Sequence, residues 1–432
     1  MGLYVIPLRQ HIGAPCVPNV SEGEKVFRGQ CIAEPNGLGA KIHASVSGRV
    51  VKITEGDIKI EGEFTEDEDY IKIKKCDSIA DTAFEAGIVG AGGAGFPTHI
   101  KLKSEIPDGF VIANCVECEP ILNHNIALIE EDPGLIVRGL QYAMEATKAP
   151  TGYIAIKSKN KKAIESLKKE IEDLKNIHIK ELGDIYPVGE ERAIIHEIFN
   201  LWLTPEQLPM EAKSVVMNGE TLANLARAVE DRKPVIDKDI TVAGKLKSGK
   251  DSNIFFQVPI GTSIASLIEQ CGGIDGEFGE IVIGGPYTGK AGDIDNAVVT
   301  KISGGAIVTI PLPEFGGPLG LLVCACGADE NRLKSIAGKM KAEVVATTNC
   351  KNLVEIRGAN KCLTPGECPG QVQAVMELKR KGAERILIAN CSDCTNTVMS
   401  CAPDLKIPVY HHTDHIFRTV DHELSRRLSL ED

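Results

Sequence analysis

The stretch that decides the fold of the central part of the chain is GIVGAGGAGFPTHIKL, at residues 87–102. Gly90, Gly92 and Gly95 fit the spacing G-x-G-x-x-G, but a dinucleotide fingerprint should follow a strand and open a helix. Here the preceding residues have helical spacing and Pro97 follows directly. The sequence therefore indicates a loop of exposed backbone N–H groups that can cradle a phosphate. A plain glycine-rich turn is the alternative.

Three segments beyond this loop place polar side chains at the ends of predicted strands or the starts of predicted helices. They are ANCVECEPILN at 113–123, YPVGEERAI at 186–194 and VVMNGETLAN at 215–224. Carboxylates at a helix start are favoured by the helix dipole. Such groups can hydrogen-bond a ribityl chain, an isoalloxazine edge or a nicotinamide. The candidates are Asn114, Glu117, Glu119, Glu190, Glu191 and Asn218.

The pattern of apolar runs and glycines divides the chain into four stretches. Residues 1–75 read as short strands, the last at 71–73, and predict a small barrel or sandwich. Strands and helices alternate over residues 76–235, which predicts an α/β domain. Residues 236–310 form a smaller mixed stretch. Residues 311–432 alternate again and are expected to end in a helix from residue 415 to 428.

Composition narrows the function classes. The chain has 432 residues and a net charge of −12, so it has no general attraction to nucleic acid or anionic lipid. No apolar run reaches the roughly 20 residues of a membrane span, and the first residues do not resemble a signal peptide. We therefore expect a cytoplasmic protein, where structural disulfides are disfavoured. Its 14 cysteines then call for burial, metal binding or redox chemistry.

The cysteines beyond residue 311 are Cys324, Cys326, Cys350, Cys362, Cys368, Cys391, Cys394 and Cys401. Five of them, Cys324, Cys326, Cys350, Cys391 and Cys394, follow predicted strands, whose carboxyl ends line the functional edge of an open sheet. Cys391-x-x-Cys394 has dithiol spacing, and Cys362 and Cys368 form a second candidate pair. Cys368 precedes a predicted helix, whose N-terminus should lower its thiol pKa. Three interpretations of these cysteines stay open: redox-active thiols, ligands of a metal or of a single iron–sulfur cluster, and inert buried residues.

The order GAGGAGFPTHIKL, NCVECEP, YPVGEE and NGETLAN resembles the flavin- and NADH-binding subunit family. That family includes the C subunit of the Rnf complex and the flavoprotein subunit of respiratory NADH dehydrogenase. The resemblance implies an α/β multidomain fold with FMN and NADH as cofactors. It implies a barrel-sandwich hybrid at 1–75, a flavin- and NADH-binding α/β domain at 76–235 and a soluble-ligand-binding β-grasp domain at 236–310. A cysteine-rich α/β redox domain at 311–432 completes the expected architecture.

The resemblance also assigns residues by position. It implies that the flavin-phosphate loop consists of Gly90, Gly92, Gly93 and Gly95, and that Lys101 is the lysine near the flavin. It implies that the carboxylate segment contributes Asn114, Glu117 and Glu119, and that the acidic pair Glu190 and Glu191 faces the nicotinamide nucleotide. The last polar segment contributes Asn218 and Thr221. Two positions depart from the respiratory subunit. Val116 replaces an aspartate and Met217 an asparagine, and each change removes a polar contact.

These observations predict an electron-transfer flavoprotein that oxidises NADH through FMN and passes electrons through its C-terminal cysteines to a partner reductase. The tail lacks the tandem cysteine runs of ferredoxins, so tandem clusters are not expected. An Rnf-like front with a cysteine-rich tail resembles the electron-transfer proteins associated with proline reductase, which implies D-proline reductase as the partner. An Rnf-like scaffold, or an iron–sulfur carrier without NADH turnover, is the alternative. Assembly into a homo-oligomer is left open.

Overall fold

The computed structural model describes residues 2–65 and 69–425, and it begins with two small antiparallel sheets. One has the order β1-β7-β6-β3 and the other β2-β4-β5. In β7, Ile58, Ile60 and Gly62 alternate inward, which is the period-2 pattern of a half-buried strand. The strands are β1 Gly2–Pro7, β2 Val17–Pro18, β3 Lys25–Val26, β4 Cys31–Glu34, β5 Ile42–His43, β6 Ser47–Ile53 and β7 Asp57–Glu63.

The expected strand at residues 71–73 is wrong. This segment is irregular, because its backbone N–H groups bond to two different parts of the chain. Ile71 N–H donates to the Arg28 carbonyl and Ile73 N–H to the Arg232 carbonyl. The segment thus ties the first sheets to the following α/β region instead of extending a sheet.

The next region is built on a parallel sheet of order β10-β9-β8-β11. Its two central helices, α4 and α7, approach closely because Gly139 has no side chain; a Cβ there would lie 2.1 Å from the Leu222 carbonyl oxygen. The elements are α1 Ile79–Glu85, α2 Thr98–Leu102, β8 Phe110–Asn114, α3 His124–Glu131, α4 Pro133–Thr147, β9 Thr151–Lys157, α5 Lys161–Glu170, β10 Ile177–Leu182, α6 Glu191–Phe199, β11 Ser214–Asn218 and α7 Gly219–Glu230.

A mixed five-stranded sheet follows, with the order β13-β12-β16-β14-β15. The β12–β16 pair is parallel and the other pairs are antiparallel. One helix packs its apolar face on this sheet through Ile264, Leu267 and Ile268. The elements are β12 Asp237–Gly244, β13 Ser252–Pro259, α8 Ile264–Gln270, β14 Ile281–Ile283, β15 Lys290–Gly292 and β16 Gly305–Val308.

The C-terminal region has a second parallel sheet, of order β18-β17-β21-β22, and a hairpin of β19 and β20. The expected helix at residues 415–428 is too long, since α12 ends at Thr419; the expectation for residues 426–428 lies outside the described residues. The elements are β17 Pro318–Val323, α9 Glu330–Lys339, β18 Glu343–Asn349, β19 Leu353–Ile356, β20 Ala359–Cys362, α10 Val372–Arg380, β21 Arg385–Ile388, α11 Ser392–Cys401, β22 Val409–His411 and α12 Asp414–Thr419.

Buried ion pairs and a shared core join the regions. The largest hydrophobic cluster runs from Ile6 to Ile260, so the first two regions have a common core. Arg28 forms a 2.8 Å ion pair with Asp237, and both side chains are only 6% exposed. Buried charges of this kind persist when they are paired. Among the described residues, no helix is both long and apolar enough to cross a membrane.

Candidate functional site

The first group of predicted site residues lies at the carboxyl edge of the β10-β9-β8-β11 sheet. Asn114 and Asn218 are register partners at the ends of β8 and β11. Asn218 caps α7, because its side-chain oxygen accepts from the N–H groups of Glu220 (2.9 Å) and Thr221 (3.4 Å). Asn114 donates from Nδ2 to the Gly189 carbonyl at 2.9 Å. The two asparagines therefore connect this sheet edge to the starts of two helices.

The glycine loop lies over the N-terminus of α7. Ala91 N–H donates to Thr221 Oγ1 at 2.9 Å, and a Cβ on Gly92 would fall 2.6 Å from Asn218 Nδ2. Gly93 has open space around the position of a Cβ, and residues 92–94 are exposed. An exposed, side-chain-poor backbone beside a helix N-terminus suits an anionic phosphate. The flavin phosphate expected from the sequence therefore fits the residues present.

The acidic pair is divided between two tasks. Glu190 is the N-cap of α6 and accepts from the N–H groups of Arg192 (2.9 Å) and Ala193 (3.1 Å). Glu191 accepts from Lys101 Nζ at 2.7 Å, and the same ammonium donates to the Val216 carbonyl at 2.8 Å. The structure thus brings Lys101 and Glu191 together and leaves Glu190 as part of the helix cap.

The two carboxylates of NCVECEP differ in their partners. Glu119 accepts from the backbone N–H groups of Tyr287 (2.7 Å) and Thr288 (2.9 Å), which lie in the third region. Glu117 accepts from Asn125 Nδ2 at 2.9 Å. Burial, reinforced by the charge of Glu119, raises the pKa of Glu117 to about 7. Both carboxylates line a cavity of ≈ 340 Å³, but Glu119 serves as an anchor between regions as well.

The second group of predicted residues lies at the carboxyl edge of the β18-β17-β21-β22 sheet. Cys324 directly follows β17 and Cys350 directly follows β18. Cys391 is the N-cap of α11, so Cys394 falls in the first turn of the same helix. The convergence expected at one sheet edge is therefore observed. The sequence did not predict α11, whose residues SDCTNTVMSC include few strong helix formers.

Seven thiols form one continuous cluster at this edge. Side-chain contacts join Cys391 to Cys326 and Cys394, and join Cys350 to Cys324 and Cys394. Cys362 contacts Cys326, and Cys368 contacts Cys394. The expected pairing of Cys362 with Cys368 is thus replaced by contacts of each thiol with a different member of the cluster. Cys391 and Cys394 are each only 2% exposed.

Hydrogen bonds from a buried glutamine and from neighbouring thiols change the pKa values of the cysteines in the cluster. Gln371 Nε2 donates to Cys350 Sγ at 3.1 Å and to Cys394 Sγ at 3.3 Å. The pKa of Cys350 is lowered mainly by hydrogen bonds from Cys324 and Cys394. Burial raises the pKa of Cys115 to about 12, since no donor offsets it there. Within the cluster, contacts with neighbouring thiols lower the pKa of Cys350, Cys368 and Cys391 and raise that of Cys394.

Cys368 has the ionisable character that the sequence predicted, but for a different reason. A hydrogen bond from Cys394 is the largest contribution and lowers the pKa of Cys368 to about 7, against the opposing effect of burial. Thr397 Oγ1 at 3.0 Å and Gly370 N–H at 3.2 Å add further contacts to its sulfur. Its neighbour Gln371 precedes α10 without a side-chain cap. The thiol cluster, more than the helix start, sets this pKa.

The donor set of the cluster suits a thiolate-bound iron–sulfur centre, which cysteines hold in proteins. The side-chain oxygen of Gln371 and both side-chain polar atoms of Asn390 are buried and have no hydrogen-bond partner. Within the described residues, however, no group of three or more His, Cys, Asp or Glu side chains has the arrangement of a metal-ion site. The residues supply suitable ligands without a preformed single-ion geometry.

Two aromatic residues and a glutamine were missed by sequence reasoning. Tyr186 belongs to the quoted segment YPVGEE, and Tyr287 follows GGP at 284–286, yet only their polar neighbours were considered. Their rings stack with centroids 3.6 Å apart, and both pack in the same cluster as Cys324 and Cys391. Gln371 had no signal, because an isolated glutamine before a helix is ordinary.

Comparison with known families defines the class of protein. Residues 83–227 match the Nuo51 FMN-binding domain, and residues 2–73 match the RnfC barrel sandwich hybrid domain. The molecule is thus an oxidoreductase with an NADH-dehydrogenase-like FMN-binding domain, and the expected barrel-sandwich hybrid and flavin-binding domain are confirmed.

Similarity to whole proteins then gives the family. The C subunit of the Na(+)-translocating ferredoxin:NAD(+) oxidoreductase complex of Acetobacterium woodii is 34% identical over 71% of this chain and 72% of its own length. The corresponding proton-translocating subunit of Clostridium ljungdahlii is 34% identical over 69% of each. This chain belongs to the family of these C subunits. The cobalamin reductase PduS of Salmonella typhimurium is 38% identical over 54% of this chain, a match that spans half of that reductase.

Proposed function

We propose that this protein transfers electrons from NADH through FMN to the C-terminal thiol cluster and from there to a partner reductase. The observation that carries the proposal is the direct packing of the thiol cluster against the segment that leads into α6. Tyr186 O–H donates to the Cys326 carbonyl, and its backbone exchanges hydrogen bonds with Ser392, the residue after Cys391. A donor region and an acceptor region in contact are what electron transfer requires.

The flavin would be held by the glycine loop and the two helix starts. The backbone of residues 92–95 and the N-terminus of α7 would bind the phosphate, with Asn114, Asn218 and Lys101 around the remainder. FMN, when bound, accepts a hydride from NADH and passes the electrons on. Val116 and Met217 are buried, so the two polar contacts that they replace are not supplied at these positions.

The nicotinamide nucleotide would be selected by the acidic pair. The side chain of Glu191 is 43% exposed and can accept from a ribose hydroxyl. Glu190 lies beside it at the start of α6, where it caps the helix and pairs with Arg192 at 3.0 Å. Acidic residues in this role disfavour a 2′-phosphate, so NADH should be preferred over NADPH.

Electrons would leave through the cysteines as a pair. A disulfide between Cys391 and Cys394 takes up two electrons and two protons to give two thiols. Both residues are buried, so a partner would be reached through Cys368, which is half-buried. Its lowered pKa favours the thiolate, which would attack a disulfide of the partner and form a mixed disulfide. Cys394, in contact with Cys368, would then attack the Cys368 sulfur and release the partner as a dithiol, and Cys391 would attack Cys394 to restore the Cys391–Cys394 disulfide and the Cys368 thiol. D-proline reductase stays the predicted partner, on the resemblance of the tail.

An iron–sulfur centre in the same cluster is the second candidate. Seven thiols exceed the two that a dithiol relay needs, and the Gln371 amide donates to two of the sulfurs. Hydrogen bonds to sulfur are among the features that set the reduction potential of such a centre. In this version the route from flavin to cysteines is unchanged and only the acceptor differs.

The proposal is tested on anaerobically purified protein by flavin content and by bleaching of the flavin with NADH. Gly93→Leu should lose most bound FMN, because its side chain fills the open space by the loop. Gly56→Leu is the matched control, since Gly56 also has open space around a Cβ and lies in an exposed turn. A colourless wild-type protein that does not oxidise NADH would support the scaffold alternative instead.

The thiol step is tested separately with Cys391→Ser and Cys394→Ser. Both variants should retain NADH-dependent reduction of a small dye, which takes electrons directly from the flavin. Both should fail to reduce a purified partner such as D-proline reductase. Full reduction of the partner by both variants would show that the electrons leave by another route. Iron and sulfide in near-stoichiometric amounts would favour a cluster over the dithiol.

A further inference from the structure

Two tyrosines from different regions of the chain stack where the carboxylate segment NCVECEP meets the thiol cluster. Tyr186 lies in the loop before α6, and Tyr287 lies in the loop after β14. Their ring centroids are 3.6 Å apart and their planes differ by 4°. Tyr186 is 8% exposed and Tyr287 is 2% exposed. The pair is therefore a buried aromatic contact at a junction of three regions.

Hydrogen bonds to other elements hold both tyrosines of the stack in place. Aromatic pairs prefer offset or edge-to-face arrangements, with centroids about 4.5–7 Å apart. This pair instead overlaps face to face. Tyr287 is fixed through its backbone, because its N–H donates to Glu119 and its carbonyl accepts from His412 Nε2 at 3.0 Å. Tyr186 is fixed by Ser392 and the Cys326 carbonyl.

The partners of the stack belong to segments of both predicted sites. On one side are Glu119 and Cys118, which belong to the predicted flavin segment; Cys118 packs against the same apolar cluster. On the other side are Cys326 and the start of α11, where Cys391 lies. Electron tunnelling weakens steeply across gaps, so it favours bonded atoms and close contacts. The stack supplies such contacts from one site to the other.

We propose that Tyr186 and Tyr287 are positioning residues that bridge electron transfer from the flavin region to the cysteines; this rests on the proposed function. NADH gives up two electrons and a proton as hydride and leaves as NAD⁺. The same two electrons, with that proton and one from solvent, reduce one Cys391–Cys394 disulfide to two thiols. Neither tyrosine undergoes a net change. Their stacked rings keep atoms in close contact between the NCVECEP segment and the cysteines.

The test separates flavin reduction from cysteine reduction in the intact protein. The cysteines are first oxidised with diamide, and NADH is then added anaerobically. Flavin bleaching is followed by stopped flow, and thiols at Cys391 and Cys394 are counted by alkylation and mass spectrometry; where iron is bound, its visible spectrum replaces the thiol count. Tyr186→Leu and Tyr287→Leu should bleach at the wild-type rate but reduce the cysteines several-fold more slowly.

Conservative and control variants distinguish a bridge from simple packing. Tyr186→Phe and Tyr287→Phe keep the rings and should behave like the wild type. Tyr153→Leu removes a ring whose contacts are with Phe110, His178 and Phe199, and should leave cysteine reduction unchanged. If a leucine variant loses FMN or unfolds, the methionine variant, which keeps more of the volume without a ring, carries the same test.

Three results would overturn the inference. The first is wild-type cysteine reduction in the folded leucine or methionine variants. The second is an equal loss in the phenylalanine variants, which would assign the effect to the hydroxyl groups. The third is a wild-type protein whose flavin bleaches while its cysteines stay oxidised. That last result would refute the proposed route itself, and it is recognised without any tyrosine variant.

Discussion

The two parallel sheets of this molecule carry their candidate sites at the same place, the carboxyl edge, but with opposite exposure. At the first edge, exposed glycines lie over a helix N-terminus, and the Lys101–Glu191 ion pair is partly exposed, at 27% and 43%. At the second edge, Cys391 and Cys394 are 2% exposed. The carboxyl edge is where open α/β sheets bind ligands. An exposed edge lets a nucleotide bind from solvent and leave again, whereas a buried edge shields redox-active thiols from solvent.

The tail that carries the closed edge is also joined to the third region by buried charges. Glu280, buried at 4% exposure, receives hydrogen bonds from Arg332 Nη1 (3.0 Å) and His415 Nε2 (2.9 Å) and so joins the third region to the tail. Burial would raise the pKa of Glu280, but His415 and Arg332 together hold it well below its usual range. The carboxylate therefore stabilises the fold above about pH 4.5, and that contribution is lost as the pH falls.

The largest expected effect comes from breaking this buried network. Arg332 and Lys339 both form ion pairs with Glu280. Glu280→Gln leaves them without a buried counter-charge, which should lower the free energy of unfolding by about 3–5 kcal/mol. Glu191→Gln at the open edge should change it by no more than about 1 kcal/mol, because that pair is partly exposed. Urea denaturation at neutral pH measures both variants. Equal effects would remove the contrast between the two edges.

Sequence patterns could predict those features of the two edges that depend on single strands and helices. The cap positions of Glu190 and Asn218 follow from strand and helix signals, and the convergence of Cys324, Cys350 and Cys391 follows from the geometry of parallel strands. The redox role of the tail and the β-grasp assignment stay predictions.

Contacts between distant residues could not be predicted. Glu119 bonds to Tyr287 and Thr288, which are more than 160 residues away in sequence. The Tyr186–Tyr287 stack depends on the same packing of regions. Helix α11 was missed because its first turns contain Ser, Asp, Cys, Thr and Asn, which have weak helix propensity, so packing of Val398 in the core decides its conformation.

At the closed edge, the thiol cluster sets the ionisation of Cys368. The pKa of Cys368 is lowered from 9.0 to about 7, so the rate of its alkylation by iodoacetamide should rise with pH and reach half its plateau near that value. Cys115, which directly follows β8, should stay unreactive, since burial raises its pKa to about 12. Mass spectrometry of the intact, folded protein assigns the modified residue. Both thiols are read in the same sample.

Cys368→Ser is the control for this experiment and should remove the early alkylation site. A midpoint near the ordinary thiol value would show that the thiol cluster does not stabilise the Cys368 thiolate. Protection of Cys368 at every pH until metal is removed would instead identify it as a ligand. Either result would change how the closed edge differs from the open one.

The smallest expected effect is the reverse case, a carboxylate at the first edge that burial keeps protonated. The pKa of Glu117 is raised from 4.5 to about 7, mainly by burial and further by Glu119, against the hydrogen bond from Asn125. The folded chain therefore holds a proton that the unfolded chain releases, and stability falls as the pH rises between these two values. Glu117→Gln removes the ionisable group and should flatten this fall.

Melting temperatures of Glu117→Gln and the wild type are compared at about pH 5, near the lower end of this pH window, and at about pH 8, above it. Glu117→Gln should gain on the wild type by about 1 kcal/mol more at the higher pH, a value reduced from the full shift because Glu117 is partly exposed. Glu145→Gln, on the exposed face of α4, should show no such dependence. If Glu117→Gln and the wild type differ equally at both pH values, Glu117 is ionised throughout. The nearby charges of Lys157 and Lys238, which favour the ionised form, would then outweigh the effect of burial on the pKa of Glu117.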